Sequence, residues 1–326
     1  MSDIYFGNLK IKKGACLAPM AGLTDAVFRK LANEFNISYT VTEMVSAKAL
    51  IYNDLKTRKL CQNYTQNSPF GIQLFGCVPE ELAEAAKIVL QFKPDFIDIN
   101  MGCPAPKITN GGNGSALMKN PTLAQECVRQ VVNSVNIPVT VKMRKGWDNN
   151  SINYVEMAKR CEQAGAVAVQ LHARTRTQMY TPPIDVNAIT QMVNAVKIPV
   201  VGNGDILTVE DARNMLDETG CSLVMVGRGV MGNLWLFNEI YADFNGLEMP
   251  EKPSLYKRLE FMRKHAYELC ETKGEDLAMR EFRTNAAYYL KGVKNASKFR
   301  AFSTSLTYYT DVERLVELVL DANRME

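Results

Sequence analysis

The most constraining feature of this sequence is an alternation that starts near residue 14 and repeats eight times. A short apolar run is followed each time by a longer stretch with helical spacing. The runs are residues 15–19, 39–43, 70–75, 96–100, 138–144, 166–172, 198–203 and 222–227. Most are apolar almost throughout, as parallel strands covered on both faces must be. The stretches between them carry helix signals. Pro79 with Glu80 and Glu81 opens one helix, with proline in the first turn and acids at the positive end of the dipole. Asn120-Pro121 opens another. Ser151 is the expected cap of a helix ending at Gly165, and Thr208, followed by Glu210 and Asp211, of one ending at Gly220. Eight such β–α units make a (β/α)8 TIM barrel. A doubly wound sheet would show a glycine fingerprint after its first strand, and Pro19-Met20-Ala21-Gly22 is not one.

The alternation stops after Trp235. Residues 237–253 carry polar residues and two prolines, and from Ser254 apolar residues return at helical spacing with no further strand. This divides the chain into a catalytic barrel, residues 1–245, and a small C-terminal helical domain, residues 246–326. Within the latter, residues 280–300 carry Arg280, Arg283, Lys291, Lys294, Lys298 and Arg300 against the single acid Glu281, with Tyr288 and Tyr289 interleaved. The whole chain has a formal charge of only +3. A nucleic-acid partner would therefore be met by this local patch.

Other classes are excluded by composition. No run approaches the ~18 apolar residues of a membrane span. Residues 1–13 are polar and basic, unlike a signal peptide. The eight cysteines include no CxxC pair, which argues against a disulfide framework or a zinc site and for a reducing cytoplasm. A cytoplasmic protein without a metal is the expectation.

In a barrel the chemistry lies at the C-terminal ends of the strands. Those ends carry Pro19, Met20 and Ala21, then Glu43, Gln73, Asn100 with Cys103, Lys142 with Arg144, and His172 with Arg174. The seventh and eighth end in Asn203-Gly204-Asp205 and Gly227-Arg228-Gly229. Glycine-rich loops at these two positions are the usual phosphate cradle of this fold. Lys142 is a cation in an otherwise apolar strand, so it calls for an anionic partner, either a ligand or an acid such as Glu43. His172, at a strand end beside Arg174, suits a ligand contact, whereas His265 has no such setting. Cys103 sits on a turn stiffened by Pro104 and Pro106 and is followed by the glycine-rich segment 110–114, which suits a mobile lid. As a metal ligand Cys103 lacks Cys or His neighbours at usable spacing. As a nucleophile it lacks an obvious base. As a proton donor it needs only to remain a thiol, the role the sequence allows most easily.

Taken together, LAPMAGLTD (17–25), GIQLFG (71–76), INMGCPAPKITNGGNGSALM (99–118), VTVKMRKGWD (139–148), VQLHARTRTQMY (169–180), VGNGDI (201–206) and VMVGRG (224–229) resemble the tRNA-dihydrouridine synthase family, most closely its bacterial B type. The resemblance spans the barrel, and the basic helical tail resembles the family's tRNA-binding domain. It implies an FMN- and NADPH-dependent reduction of the C5–C6 bond of uridines in the D-loop region of tRNA. FMN would be held by Pro19, Met20, Ala21, Gln73, Lys142 and His172, with its phosphate at Asn203, Gly204, Asp205, Gly227 and Arg228. Cys103 would protonate C5. Asn100, Arg144 and Arg174 would lie near the uridine, and Arg283, Lys291 and Lys294 on the tRNA. The protein is expected to act as a monomer. Two other readings share parts of the pattern. One is an FMN barrel reductase of free pyrimidines, of the dihydroorotate dehydrogenase kind, which leaves the basic tail unexplained. The other is a non-enzymatic RNA-binding protein, which leaves the strand-end constellation unexplained.

Overall fold

A computed structural model describes residues 3–64 and 67–323. It opens with an antiparallel hairpin, β1 (Ile4–Phe6) and β2 (Leu9–Ile11), in the stretch that the sequence reading described only as polar and basic. Nine parallel segments follow: β3 (Ala15–Leu17), β4 (Thr40–Val41), β5 (Val45–Ser46), β6 (Phe70–Phe75), β7 (Phe96–Met101), β8 (Val139–Gly146), β9 (Ala168–Thr175), β10 (Val200–Asn203) and β11 (Leu223–Val226). Their order is β3-β11-β10-β9-β8-β7-β6-β4, with β5 also on β6. Between β3 and β4 the ring is joined by Ser38 N–H to Ala15 O (2.9 Å) and Leu17 N–H to Tyr39 O (3.4 Å). The architecture is the (β/α)8 TIM barrel, followed by C-terminal helices.

The second barrel strand departs from the continuous run expected over residues 39–43. Thr42 donates its N–H to Gly71 O at 3.0 Å, while its hydroxyl accepts the Gln73 N–H at 3.0 Å. A side chain thus replaces a backbone carbonyl in the ladder, and the chain turns at Glu43 before β5. The helix expected to start at Ser151 runs instead over Tyr154–Gln163, because the Ser151 hydroxyl bonds Asp148 Oδ1 at 2.7 Å. At Thr208 the reading holds: its hydroxyl and the Asp211 carboxylate form a reciprocal capping box, and Gly220 ends the helix with a left-handed φ of 68°. A helix at Trp235–Phe244 completes the eighth unit, in a stretch where the sequence reading placed no element.

Two apolar clusters hold the barrel. The inner one joins Phe6 and Ile11 of the hairpin to Cys16, Tyr39, Phe96, Ala168, Val201, Leu223 and Met225. Phe6 meets Tyr39 and Phe96 edge-on, with ring centroids 5.5 and 6.1 Å away. Each such buried side chain contributes roughly 1.5–3 kcal/mol relative to exposure. The hairpin therefore plugs the barrel interior. The outer cluster lies between strands and helices and continues into the tail.

The tail helices are Leu255–Lys273, Glu275–Tyr289, Ala296–Ser303 and Tyr309–Asn323. The first packs on the barrel helix Ala26–Ala32. Phe28 lies 5.6 Å from the His265 ring, and the ion pairs Lys30–Glu268, Lys264–Glu34 and Lys273–Asp25 flank the contact. His265 is buried and meets the Tyr289 hydroxyl at 3.2 Å. Tyr289 is thus a core residue rather than part of the basic surface. Its helical spacing from Phe282 and Ala286, also buried, already places it on the apolar face. Among the described residues no helix is long and apolar enough to cross a membrane, and no group of three His, Cys, Asp or Glu could hold a metal ion.

Candidate active site

A cavity of about 500 Å³ opens where the strands end. Pro19, Met20, Ala21, Gln73, Asn100, Cys103, Lys142, Arg144, His172, Arg174, Asn203, Gly204, Asp205, Gly227 and Arg228 all line it. These are fifteen residues from seven strand ends, brought together by the barrel alone. Arg283 and Lys291 lie outside it, in a neighbouring hollow on the tail with Arg300. Tyr288 borders both. Lys294 is exposed and lines neither.

The floor is a buried polar network. Asp98, fully buried, accepts from Gln73 Nε2 (2.7 Å), Thr140 Oγ1 (2.6 Å) and Gln170 Nε2 (3.0 Å). Gln73 Oε1 in turn accepts from Asn100 Nδ2 at 2.7 Å. Burial pushes the Asp98 carboxyl up to about 6, against the pull of these bonds and of the Lys142 charge. Lys142 donates to Asn203 Oδ1 at 2.9 Å, and Asn203 Nδ2 donates to Met225 O. Glu43 is not its partner, because that carboxylate accepts the Gly22 N–H and so pins the Met20–Thr24 turn. Burial first, then the Arg144 charge, pulls Lys142 down to about 8.

Cys103 is held by its backbone. Its N–H donates to Asn100 Oδ1 at 2.9 Å, and its carbonyl accepts from Ser115 N–H (3.1 Å) and Ser115 Oγ (2.9 Å). Gly114, at φ 59°, is required here, since a Cβ would stand 2.9 Å from the Cys103 carbonyl oxygen. Burial raises the thiol, opposed by a bond from the Ala105 backbone and by Arg144. It therefore stays protonated at neutral pH. The glycine-rich segment 110–114 forms a tight turn between short helices at Pro106–Thr109 and Gly114–Lys119.

Arg144 and Arg174 are nearly fully buried, and most of their donors are bonded. Arg144 bonds the carbonyls of Gly102, Thr175 and Met179. Arg174 bonds Thr181 O and Asp205 and lies 3.3 Å from His172 Nε2. Asp205 also pairs with Arg228 at 3.3 Å. Burial, reinforced by Lys142, Arg144, Arg174 and Arg228, holds His172 well below its ordinary value, so its ring is neutral. The Arg228 loop approaches closely: a Cβ on Gly229 would meet Ile206 O at 2.2 Å, and one on Gly204 would meet Ile184 at 2.5 Å. The site is thus a positively charged cavity with a protonated thiol at its edge and bare backbone on one wall.

The family model described as dihydrouridine synthase (Dus) matches residues 16–323. The chain belongs to this family. A relative from Pasteurella multocida named tRNA-dihydrouridine synthase B is 35% identical over 92% of this chain and 91% of its own. One from Rhodobacter capsulatus, named probable tRNA-dihydrouridine synthase, is 40% identical over 88% of this chain and 89% of its own. A solved mandelate oxidase mutant with benzaldehyde shares the fold, with a TM-score of 0.52 and 19% identity over 76% of each chain. This dihydrouridine synthase family member is accordingly an oxidoreductase. Three features of its site escaped the sequence reading. Asp98 and Gln170 look like ordinary polar residues in apolar strands, and the signal for them was that two polar residues occupy positions that parallel strands bury. Ser115, the clamp on Cys103, gives no signal in the sequence.

Proposed function

We propose that this enzyme reduces uridines in the D-loop region of tRNA to 5,6-dihydrouridine, with FMN as its cofactor and NADPH as reductant. The observation that carries this reading is the Cys103 thiol at the mouth of a cationic cavity in a member of this family. The residues present fit FMN. Among the described residues Lys142 has only Asn203 as a hydrogen-bond acceptor, a buried cation that would gain from a ring whose reduced form is anionic. Gly204, Gly227 and Gly229 line the cavity beside Arg228, where their backbone could meet a phosphate.

Pro19, Met20, Ala21, Gln73, Lys142 and His172 would hold the ring, and Asn203, Gly204, Asp205, Gly227 and Arg228 the phosphate. Held there, reduced FMN would supply the hydride for C6 of the uracil. Cys103 delivers the proton to C5, and its raised value keeps that proton available at neutral pH. Asn100 fixes the thiol by holding the Cys103 N–H, while Arg144 and Arg174 tie the loops that wall the substrate space. A uracil stacked in tRNA cannot reach the cavity, so the base is extruded, at a cost of a few kcal/mol. Arg283, Lys291 and Lys294 supply phosphate contacts for the tRNA body. The protein acts as a monomer.

Two expectations follow from the charges. In the stripped protein Lys142 loses its proton as pH rises through about 8. The protonated amine donates a charge-assisted hydrogen bond to the ring that the neutral amine does not match, so FMN affinity falls as pH is raised past that value. A fluorescence titration that stays flat from neutrality to well above it contradicts the assignment of Lys142. Replacing Arg283, Lys291 and Lys294 with Gln is expected to lower tRNA affinity and to reduce the slope of log K against log salt by about 2–3, at 0.7–0.9 per contact. An unchanged slope moves the RNA surface elsewhere.

A further inference from the structure

A second cationic and aromatic cluster lies on the barrel rim, apart from the tail. Three successive strand-end loops build it. Lys119 ends the short helix Gly114–Lys119, Trp147 follows β8, and Arg176 follows β9. The loops are tied by Arg176 N–H to Gly146 O (2.9 Å) and Thr177 N–H to Trp147 O (3.0 Å). Both cations lie over one ring: Lys119 Nζ is 3.7 Å and Arg176 Cζ 4.6 Å from the Trp147 centroid. Among the described residues neither cation forms an ion pair. Arg176 Nε donates only to Pro104 O, next to Cys103, at 3.3 Å.

Two like charges drawn to one indole repel each other. The ring offsets this only partly, with about 0.5–2 kcal/mol per contact. An external anion completes the balance, and the position beside the Cys103 turn decides which anion. A strand whose base enters the cavity carries its own phosphates past this point, and an indole adds a surface on which a neighbouring base can stack.

We propose that Lys119, Trp147 and Arg176 form a second RNA contact, which grips the strand next to the extruded base on the Cys103 side of the cavity. The tail patch, reached past Tyr288, grips the tRNA body. The proposal rests on the tRNA reading above and adds a site to it.

The test compares tRNA binding by the flavin-loaded full-length protein and its Lys119→Gln and Lys119→Gln/Arg176→Gln variants across a salt series, with kcat and KM on an unmodified tRNA transcript. The salt slope is expected to fall by about 0.7–0.9 for the single variant and about twice that for the double. KM rises while the rate at saturating tRNA is kept. Lys119 is exposed and, among the described residues, its side chain touches only the Trp147 ring, so its variant folds whatever Arg176 does for the Pro104 turn. An unchanged slope in both variants overturns the proposal. A lower saturated rate with an unchanged slope also overturns it, by assigning the pair to holding the Cys103 turn. A parent protein that fails to bind tRNA sinks the functional reading itself, which is a different result.

Discussion

Replacing Cys103 with Ala is expected to abolish uridine reduction, with a loss of about 10²–10⁴ in rate, while FMN stays bound and NADPH is still oxidised. The separation is sharp because the thiol has a single task. Its backbone is fixed by Asn100 and Ser115, not by the side chain, so the loop keeps its shape when the sulfur is removed. The raised value of the thiol also argues against a resting thiolate nucleophile. Rapid mixing of the reduced variant with tRNA, followed by flavin reoxidation, measures the step. Reduction of tRNA at a rate within a few-fold of the parent would remove Cys103 from the acid role.

Lys142→Met should act earlier, on the cofactor. Methionine fills a similar volume without the charge, so the loss is electrostatic. A charge-assisted hydrogen bond is worth about 1.5–3 kcal/mol, so FMN affinity should fall roughly 10- to 150-fold. A second consequence lies beneath it. The Asp98 carboxyl, already raised to about 6, loses the cation that opposes the rise and shifts further toward its neutral form. Protonated, it can no longer accept from Gln73, Thr140 and Gln170 together, and the floor that holds Gln73 and Asn100 loosens. Isothermal titration with FMN checks the first effect, and unchanged affinity contradicts it.

The barrel was legible in sequence because its strands are buried on both faces and so read as apolar runs, with caps such as Thr208 between them. What escaped the reading has physical reasons. The hairpin at Ile4–Ile11 is two three-residue strands in a charged segment, too short for a periodic signal. The break at Thr42 comes from a hydroxyl standing in for a carbonyl, and propensity cannot show that. The cavity residues could be named because a barrel gathers its strand ends at one face, so position along each strand implied proximity. Their partners could not. Asp205 and Arg174 meet across two loops, and Lys142 meets Asn203 rather than Glu43. Tyr289 could be told from Tyr288 by its spacing from Phe282 and Ala286, but that Tyr288 borders the cavity could not be read.

The central claim is that this cavity reduces uracil within tRNA. The most direct measurement incubates an unmodified tRNA transcript with the FMN-loaded protein and NADPH, digests the RNA, and looks by mass spectrometry for nucleosides heavier by two hydrogens. The account predicts dihydrouridine, confined to fragments from the D-loop region and absent with Cys103→Ala. A flavin-loaded protein that oxidises NADPH yet leaves every uridine of the transcript unreduced would contradict it.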